Sequence, residues 1–347
     1  MAESNTNPYL GITLVAGMLV VVAAMVAAVF IATQRPTVVV VQGDGATPPA
    51  TAPAEQPPTP EPAPPDSVAT DAPDDDRLRA VQVAQLPAMD DPFDAAWDDA
   101  RSVSVDVMPQ IQTAPTLDEQ TIDRVDVQAM TDGRVIAFRL TWDIDEPAVQ
   151  TRAGVFADAV AVQFPLVDHA SFMMGMDGQP VHILYWKALW EHEREVGFQD
   201  VIDIYPHTWS DLYWFANGEF PYRVDEAFDE DGSMWLVAEQ AGNPQSQRQR
   251  AEPVEEMIAE GFGTLTALPE SHTAARGAWR DGRWSVVIAR PLDIDDDALA
   301  QRLRRGGEQQ VAVAVWDGGA GNVGARKHWS AWVDFTIESD DASLSAR

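Results

Sequence analysis

Alternation of apolar and polar residues is the main pattern in the last three quarters of the chain, and it predicts β-strands. Successive side chains of a strand point to opposite faces, so alternation indicates a strand with one buried face. Short helices are predicted only at Pro253–Glu260 and Asp295–Arg305. The predicted strands are 102–107, 125–128, 135–142, 157–164, 181–187, 262–267, 284–290, 310–316 and 329–337.

Turn dipeptides such as Asp132-Gly133 and Asp281-Gly282 separate several of these strands, as expected for antiparallel hairpins. Strands and helices do not alternate regularly, which argues against a parallel α/β sheet. The sequence therefore predicts a mainly β fold, an antiparallel β-sandwich with short helices, over residues 80–347.

Two segments of different composition precede this domain. Residues 10–32 carry no charge, and about 20 apolar residues are enough for a helix to span a bilayer. The flank at residues 1–9 lacks the basic residues of a signal peptide, so a retained transmembrane helix is predicted at 10–32. Residues 33–79 are rich in proline and aspartate, which predicts an extended linker.

The charge and the amino-acid composition of the chain limit the classes of partner and metal site that it can have. The formal net charge is -32, which argues strongly against nucleic acid as a partner, because phosphate binding needs a basic face. Acidic excess with very little lysine is typical of a halophilic protein, because high salt screens self-repulsion. Cysteine is absent, which excludes disulfides, thiolate-ligated zinc, iron–sulfur clusters and covalently attached haem.

Methionine and lysine supply the remaining candidates for metal chemistry. The run Phe172-Met173-Met174-Gly175-Met176 offers thioethers, which are soft ligands for haem iron or copper, although methionine more often fills a core. In an extended strand Met174 and Met176 would share a face. The chain has two lysines, Lys187 and Lys327, and a buried lysine can lose its proton and bind a metal where arginine cannot.

The surroundings of the two lysines differ. In the run 181–188, alternation places His182, Leu184 and Trp186 on one face of a strand, and Ile183, Tyr185 and Lys187 on the other, with Lys187 at a strand edge. A glycine-rich segment at 317–327 predicts a long hairpin loop that leads Lys327 into the next strand.

Other chemistry has weaker support in the sequence. His192 lies between two glutamates and can bind a divalent ion there, but a solvated loop is the simpler interpretation. The histidines lack zinc spacing, and a nucleophile motif is absent. An independent hydrolytic enzyme therefore has no support.

An ordered series of segments runs through the predicted domain. The segments are Phe156–Pro165, Met173-Met174-Gly175, Pro180–Ala188, Gly261–Thr266, Gly277–Trp284, Arg290-Pro291-Leu292 and Val315–Gly318. Together they resemble a known family, the haem b-binding gamma subunits of dimethylsulfoxide-reductase-family molybdoenzymes, such as those of ethylbenzene dehydrogenase, dimethylsulfide dehydrogenase, chlorate reductase and nitrite oxidoreductase. The chain departs from that family in three respects: Met176 stands where an acidic residue is common, the loop at 225–255 is enlarged, and a membrane anchor is unusual.

The resemblance implies a β-sandwich related to a carbohydrate-binding module, holding one non-covalent haem b between a methionine and a lysine. It implies Met174 as one axial ligand, with Met173 and Met176 as alternates. It implies Lys327 as the other, with Lys187 as the alternate, because the family's lysine lies towards the C-terminus.

We therefore expect a membrane-anchored electron-transfer subunit rather than a catalytic chain. By resemblance, its partners are a molybdopterin catalytic subunit, an iron–sulfur subunit and a quinone or cytochrome carrier, with the globular domain extracytoplasmic. The alternative is a non-redox sandwich that binds carbohydrate or a partner at the cell surface; a copper or periplasmic sensor protein is a third possibility. Methionine and lysine meeting in one apolar pocket would favour haem, whereas an exposed Lys327 on an open aromatic face would favour the binding module.

Overall fold

The computed structural model describes residues 77–199, 201–207, 241, 247, 250–269, 271–294, 303 and 305–338. This part of the chain is mainly β. The strands are β1 (Leu78–Gln82), β2 (Val103–Asp106), β3 (Met108–Pro109), β4 (Arg124–Thr131), β5 (Val135–Asp143), β6 (Ala159–Pro165), β7 (Val181–Lys187), β8 (Val254–Ala259), β9 (Thr266–Ala267), β10 (Ala274–Arg280), β11 (Arg283–Pro291), β12 (Glu308–Trp316), β13 (His328–Trp329) and β14 (Val333–Ile337).

Helices in the described residues are short, as predicted. A 3-10 helix covers Ala95–Asp99, and two α-helices follow β7, α1 at Ala188–Val196 and α2 at Val201–Ile204. The predicted transmembrane helix at 10–32 and most of the predicted helix at Asp295–Arg305 lie outside the described residues. Within the described part of the chain, none of the helices has the length and apolar character needed to cross a membrane.

The strands form one hydrogen-bonded path that β12 divides into two sheets. The first sheet has the order β10-β11-β5-β4-β1-β14-β12, with β2 beside β4, and the second has the order β12-β6-β7-β8-β9, with β13 beside β12 and β3 beside β13. The first residues of β12 pair with β14, and its later residues pair with β6. A single strand therefore carries the chain from one layer to the other.

Pairing is antiparallel, as predicted, except at β1. This strand runs parallel to both β14 and β4. Parallel neighbours need a long connection rather than a tight turn, and residues 83–123 provide one between β1 and β4. The prediction of a mainly antiparallel sheet is therefore confirmed with this one difference.

The two sheets pack face to face through aromatic side chains. Phe138 of β5 contacts Phe164 of β6, with ring centroids 5.7 Å apart. Trp186 of β7 packs against Trp284 of β11 at 5.2 Å. Trp284 donates its indole N–H to the buried Asp158 carboxylate at 2.9 Å, which satisfies a polar group that burial would otherwise leave unpaired.

A buried polar network lies in the same core. The His182 side chain is fully buried. Its Nε2 lies 2.9 Å from a carboxylate oxygen of Glu256, and its Nδ1 lies 3.1 Å from a guanidinium nitrogen of Arg290. Arginine can only donate, so Nδ1 accepts and Nε2 carries the proton that faces Glu256. His182 therefore has a structural role, as the alternation of the 181–187 run indicated.

The helix predicted at Pro253–Glu260 is wrong, because this segment is strand β8. It lies between β7 and β9, so pairing on both sides overrides the helical preference of its glutamates. Glu255 is buried within 3.2 Å of Arg250, and Glu256 pairs with His182. These partners allow charged residues in an interior strand.

Other local predictions fared differently. Of the strand predicted at 262–267, only Thr266–Ala267 forms β9. The predicted hairpin turn at Asp281-Gly282 is confirmed: both residues have positive φ, 51° and 82°, as a two-residue turn of type I′ requires.

A cavity that brings a methionine and a lysine together

The outer face of the second sheet forms the floor of a cavity of about 500 Å³. Cross-strand pairing aligns Ala314, Ala161 and Tyr185 in one row, and directly paired residues point to the same face. The row beside it contains Ala312 and Gln163. Alanine side chains fill little space, so the centre of this face remains open while the opposite face of the same strands packs in the core.

Aromatic side chains form the walls of this cavity. Tyr185 meets Trp316 edge-on, with ring centroids 5.0 Å apart. Trp329 contacts Phe172 at 5.9 Å and Phe262 at 5.9 Å. The site is thus a concave, mainly apolar space of the kind that binds a cofactor or small molecule.

Met174 enters the cavity from the loop between β6 and β7. Its φ is 64°, and the φ of Gly175 is 73°, so this segment turns tightly and is not the extended strand in which Met174 and Met176 would share a face. Met174 therefore does not share a face with Met176, which is 48% exposed. The backbone N–H of Gly261 donates to the Met174 carbonyl at 2.7 Å, which ties this loop to the loop that carries Phe262.

Lys327 enters from the loop between β12 and β13. These strands form the predicted antiparallel hairpin, and the buried Gln110 stabilises its loop: the Gln110 N–H donates to the Lys327 carbonyl at 2.9 Å. The amine lies 5.4 Å from the centroid of Trp316 and 5.8 Å from that of Trp329. The residue is only 6% exposed.

Burial changes the acidity of Lys327. Removing the ammonium from water disfavours its charged form and lowers its pKa to about 8. A larger fraction of the amine is therefore neutral near physiological pH than for an exposed lysine, and only the neutral form has a lone pair to bind a metal.

The two side chains meet inside the cavity. The Lys327 Nζ lies 3.0 Å from the Met174 Sδ, although 153 residues separate them in sequence. A soft thioether and an amine of lowered pKa therefore converge on one point within aromatic walls. Both are ligands that transition metals accept.

The other sequence candidates lie elsewhere. The described residues that line the cavity include neither Met173 nor Met176. Lys187 lies on the same face of the sheet but beyond Tyr185, with its Nζ 5.7 Å from that ring's centroid. It ends an interior strand, since β7 lies between β6 and β8, so the predicted strand-edge position is wrong.

His192 lies in helix α1 rather than in a loop. Its neighbour Glu191 is engaged in the fold, accepting from Trp186 at 3.1 Å and from the Gly277 backbone N–H at 2.8 Å. In the described residues, His, Cys, Asp and Glu form no group of three that could hold a metal ion. Met174 and Lys327 are the pair of candidate metal ligands that the described residues bring into contact inside the cavity.

Two parts of the cavity were missed from sequence. The alanine floor has a signal, because residues 159–163 and 311–315 alternate alanine or glutamine with valine. The valine side chains pack in the core, and the alanines and Gln163 lie on the cavity face. Phe262, by contrast, lies outside any strand, and no periodic pattern indicated its position at the cavity wall.

Comparison with known proteins identifies the family. The fold and cavity define a β-sandwich protein with a buried thioether–amine pair, and the family model for ethylbenzene dehydrogenase matches residues 94–328. The chain belongs to the ethylbenzene dehydrogenase family, which confirms the resemblance to haem-binding gamma subunits.

A curated relative from Haloferax mediterranei is described as a putative respiratory nitrate reductase heme subunit. It is 24% identical over 248 residues, which cover 70% of this chain and 67% of the relative. Among solved structures, a family 9 carbohydrate-binding module from Caldicellulosiruptor kristjanssonii with glucose matches at 7% identity and a TM-score of 0.34, covering 76% of this chain and 97% of the module. The same module with cellotriose matches at 8% identity and a TM-score of 0.33, covering 77% and 96%.

Proposed function

We propose that this chain is a haem b electron-transfer subunit of a respiratory molybdoenzyme complex, with the haem in the cavity of the second sheet. The observation that carries the proposal is the 3.0 Å approach of Met174 Sδ and Lys327 Nζ within that cavity. Family membership supports it, as does the heme-subunit description of the Haloferax mediterranei relative.

The residues present fit a haem in three respects. The donor pair combines a thioether with an amine, and the walls are aromatic, as an apolar macrocycle requires. The volume of about 500 Å³ lies within the range of roughly 300–1,000 Å³ found for cofactor sites. The chain has no cysteine, so the haem would be held without a thioether link to the protein.

Met174 and Lys327 would hold the haem iron in place of their present mutual contact. Bound haem supplies one-electron chemistry. The contribution of this chain is ligation, burial and exclusion of water by Trp316, Trp329 and Phe262.

The lowered pKa of Lys327 makes ligation less costly. An exposed lysine has a pKa near 10.5, whereas burial brings this one to about 8. At about 1.36 kcal/mol per pKa unit, deprotonation becomes easier by roughly 3 kcal/mol. Burial of the lysine has therefore already contributed part of the free energy that ligation to a metal requires.

The non-redox binding module is not favoured. A carbohydrate-binding face would expose aromatic rings beside an accessible Lys327, but this lysine is buried against Met174. A methionine–lysine pair without a nearby histidine cluster in the described residues also gives little support to a copper site.

The place of the chain in electron transfer belongs to the same proposal. It would relay electrons between an iron–sulfur subunit and a quinone or cytochrome pool, beside a molybdopterin subunit that does the substrate chemistry. The apolar segment 10–32 would anchor it in the membrane with the domain on the extracytoplasmic side. Family membership supports the complex, and the respiratory description of the relative supports the pathway.

The test is an absorption spectrum of the full chain, expressed with ample haem, in the oxidised and dithionite-reduced states, with a pyridine haemochrome assay. We expect b-type Soret and α bands of a low-spin haem. Their absence would refute the proposal.

The ligands are tested by Met174→Leu and Lys327→Leu, each of which puts a side chain without a donor atom in the cavity and should abolish the low-spin spectrum. Met176→Leu and Lys187→Leu are matched controls, because they make the same changes outside the cavity lining. Loss of the low-spin spectrum in Lys187→Leu alone would overturn the assignment of Lys327.

A further inference from the structure

Lys187, the second lysine of the chain, lies behind the aromatic wall of the cavity. It ends strand β7, in a row of cross-strand neighbours that runs from Trp316 through Ala159 to Lys187. Paired residues share a face of the sheet, so Lys187 is on the face that forms the cavity floor. Tyr185, two residues earlier on the same face, separates it from the cavity.

A continuous series of cation–aromatic contacts connects the two lysines. Lys327 lies over Trp316 at 5.4 Å, and Trp316 contacts Tyr185 at 5.0 Å. Lys187 lies over Tyr185 at 5.7 Å and over Trp190 at 5.1 Å. Such contacts fix both ring and cation, and they strengthen where water is excluded. A change at Lys187 is therefore transmitted to the wall beside Lys327 through a single pair of rings.

The charges around Lys187 balance. Burial lowers the pKa of Lys187, Glu255 and Glu193 favour its ammonium form, and Arg250 opposes it. Arg250 is paired with Glu255 at 3.2 Å and lies over Trp190 at 4.0 Å. Two cations and two carboxylates therefore cancel beside the cavity wall. Without Lys187 the group carries one net negative charge, close to a low-dielectric space where charge acts strongly.

We propose that Lys187 is a positioning residue for the cofactor site: it holds Tyr185 against Trp316 and keeps the cluster beside the wall electrically neutral. The inference rests on the proposed function, because its consequence concerns a bound haem. Net negative charge near an iron favours the oxidised state, and net positive charge favours the reduced state. Lys187 therefore raises the reduction potential of the site without ligating the iron.

The experiment is a potentiometric redox titration of the haem-loaded full chain, followed by absorption. In Lys187→Met the midpoint potential should fall while the low-spin bands stay in place, because Met174 and Lys327 remain. Lys187→Arg keeps both the charge and the stacking, so its potential should stay at the wild-type value. Arg280→Met is the matched control: it removes another cation over a ring, since Arg280, at the end of β10 in the first sheet, lies 4.6 Å over Phe93, and it should leave the potential unchanged.

A second variant tests the sign of the effect. Glu255→Gln removes a negative charge from the same cluster, so the potential should rise. If Lys187→Met does not fold, this variant decides: a rise supports the proposal, and an unchanged or lower potential overturns it.

Three further results overturn the proposal. They are a wild-type potential in Lys187→Met, an equal fall in Lys187→Arg, and loss of the low-spin spectrum in Lys187→Met, which would make Lys187 a ligand. Absence of haem from the wild-type chain would instead overturn the proposed function, so the two failures can be told apart.

Discussion

Replacing Ala161 by leucine should affect the haem-free and haem-loaded chains in opposite directions. Ala161 lies in the cavity floor between Ala314 and Tyr185, where a longer side chain extends into about 500 Å³ of space. Leucine adds three carbon atoms; at about 0.8 kcal/mol for each buried methylene, the haem-free chain should gain up to roughly 2 kcal/mol of stability.

The loaded chain should lose affinity, because the new side chain occupies space that the haem needs. Overpacking of a filled site typically costs about 1–3 kcal/mol, and about 1.4 kcal/mol corresponds to tenfold in a dissociation constant. We therefore expect haem to bind Ala161→Leu roughly 5- to 150-fold more weakly.

Urea unfolding of the haem-free chain and a spectroscopic haem titration measure the two effects separately. Val162→Leu is the control, because the neighbouring Val162 side chain points into the closed core between the sheets. It should destabilise the haem-free chain by about 1–3 kcal/mol and leave haem affinity nearly unchanged. Wild-type affinity in Ala161→Leu would show that haem does not bind in this cavity, and an equal loss of stability in both variants would show that the space above Ala161 cannot accept a side chain.

Two further predictions concern the loop and the core. In Gly175→Ala, the new β-carbon would collide with the carbonyl oxygen of Gln179, and alanine is strained at a φ of 73°. We therefore expect the free energy of unfolding in urea to fall by more than about 1 kcal/mol and haem to bind more weakly. Equal stability of variant and wild type would contradict this prediction. Burial lowers the pKa of His182 below 6.5; Glu256 opposes this shift and Arg290 adds to it. Because the unfolded chain then binds the proton more readily, the contribution of neutral His182 to the free energy of unfolding is full above pH 6.5. It declines as the pH falls, by at most about 1.4 kcal/mol per pH unit. His182→Gln should be less stable at pH 7 but should lose less stability between pH 6.5 and 5, and an unaltered slope would refute the assignment.

Alternation predicted strands well wherever each face of a strand has a single kind of environment. In β7, the apolar residues predicted to share a face with Leu184 do lie in the inter-sheet core, and Ile183 and Tyr185 on the opposite face line the cavity. The prediction failed at β8 because both faces of this strand are buried. Its two glutamates are stabilised by ion pairs with His182 and Arg250. Local composition does not contain that information.

The position of Met174 shows a second limit. The sequence left Met173 and Met176 open as alternates to Met174. The positive φ at Met174 and Gly175 turns the chain so that, of these three side chains, Met174 alone lines the cavity. A turn of this kind depends on the backbone that surrounds it, here the Gly261 N–H that binds the Met174 carbonyl.

Patterning and composition were enough to predict a mainly β, acidic, cysteine-free chain with methionine and lysine as its metal-binding candidates. Family resemblance ranked Met174 and Lys327 above their alternates. Their contact, across 153 residues of sequence and 3.0 Å of space, could be learned from the folded chain alone. The loop of Met174 follows β6 and the loop of Lys327 follows β12, and these two strands pair in the second sheet. The lowered pKa of Lys327 depends on burial, which exists only once the sheets and loops have assembled.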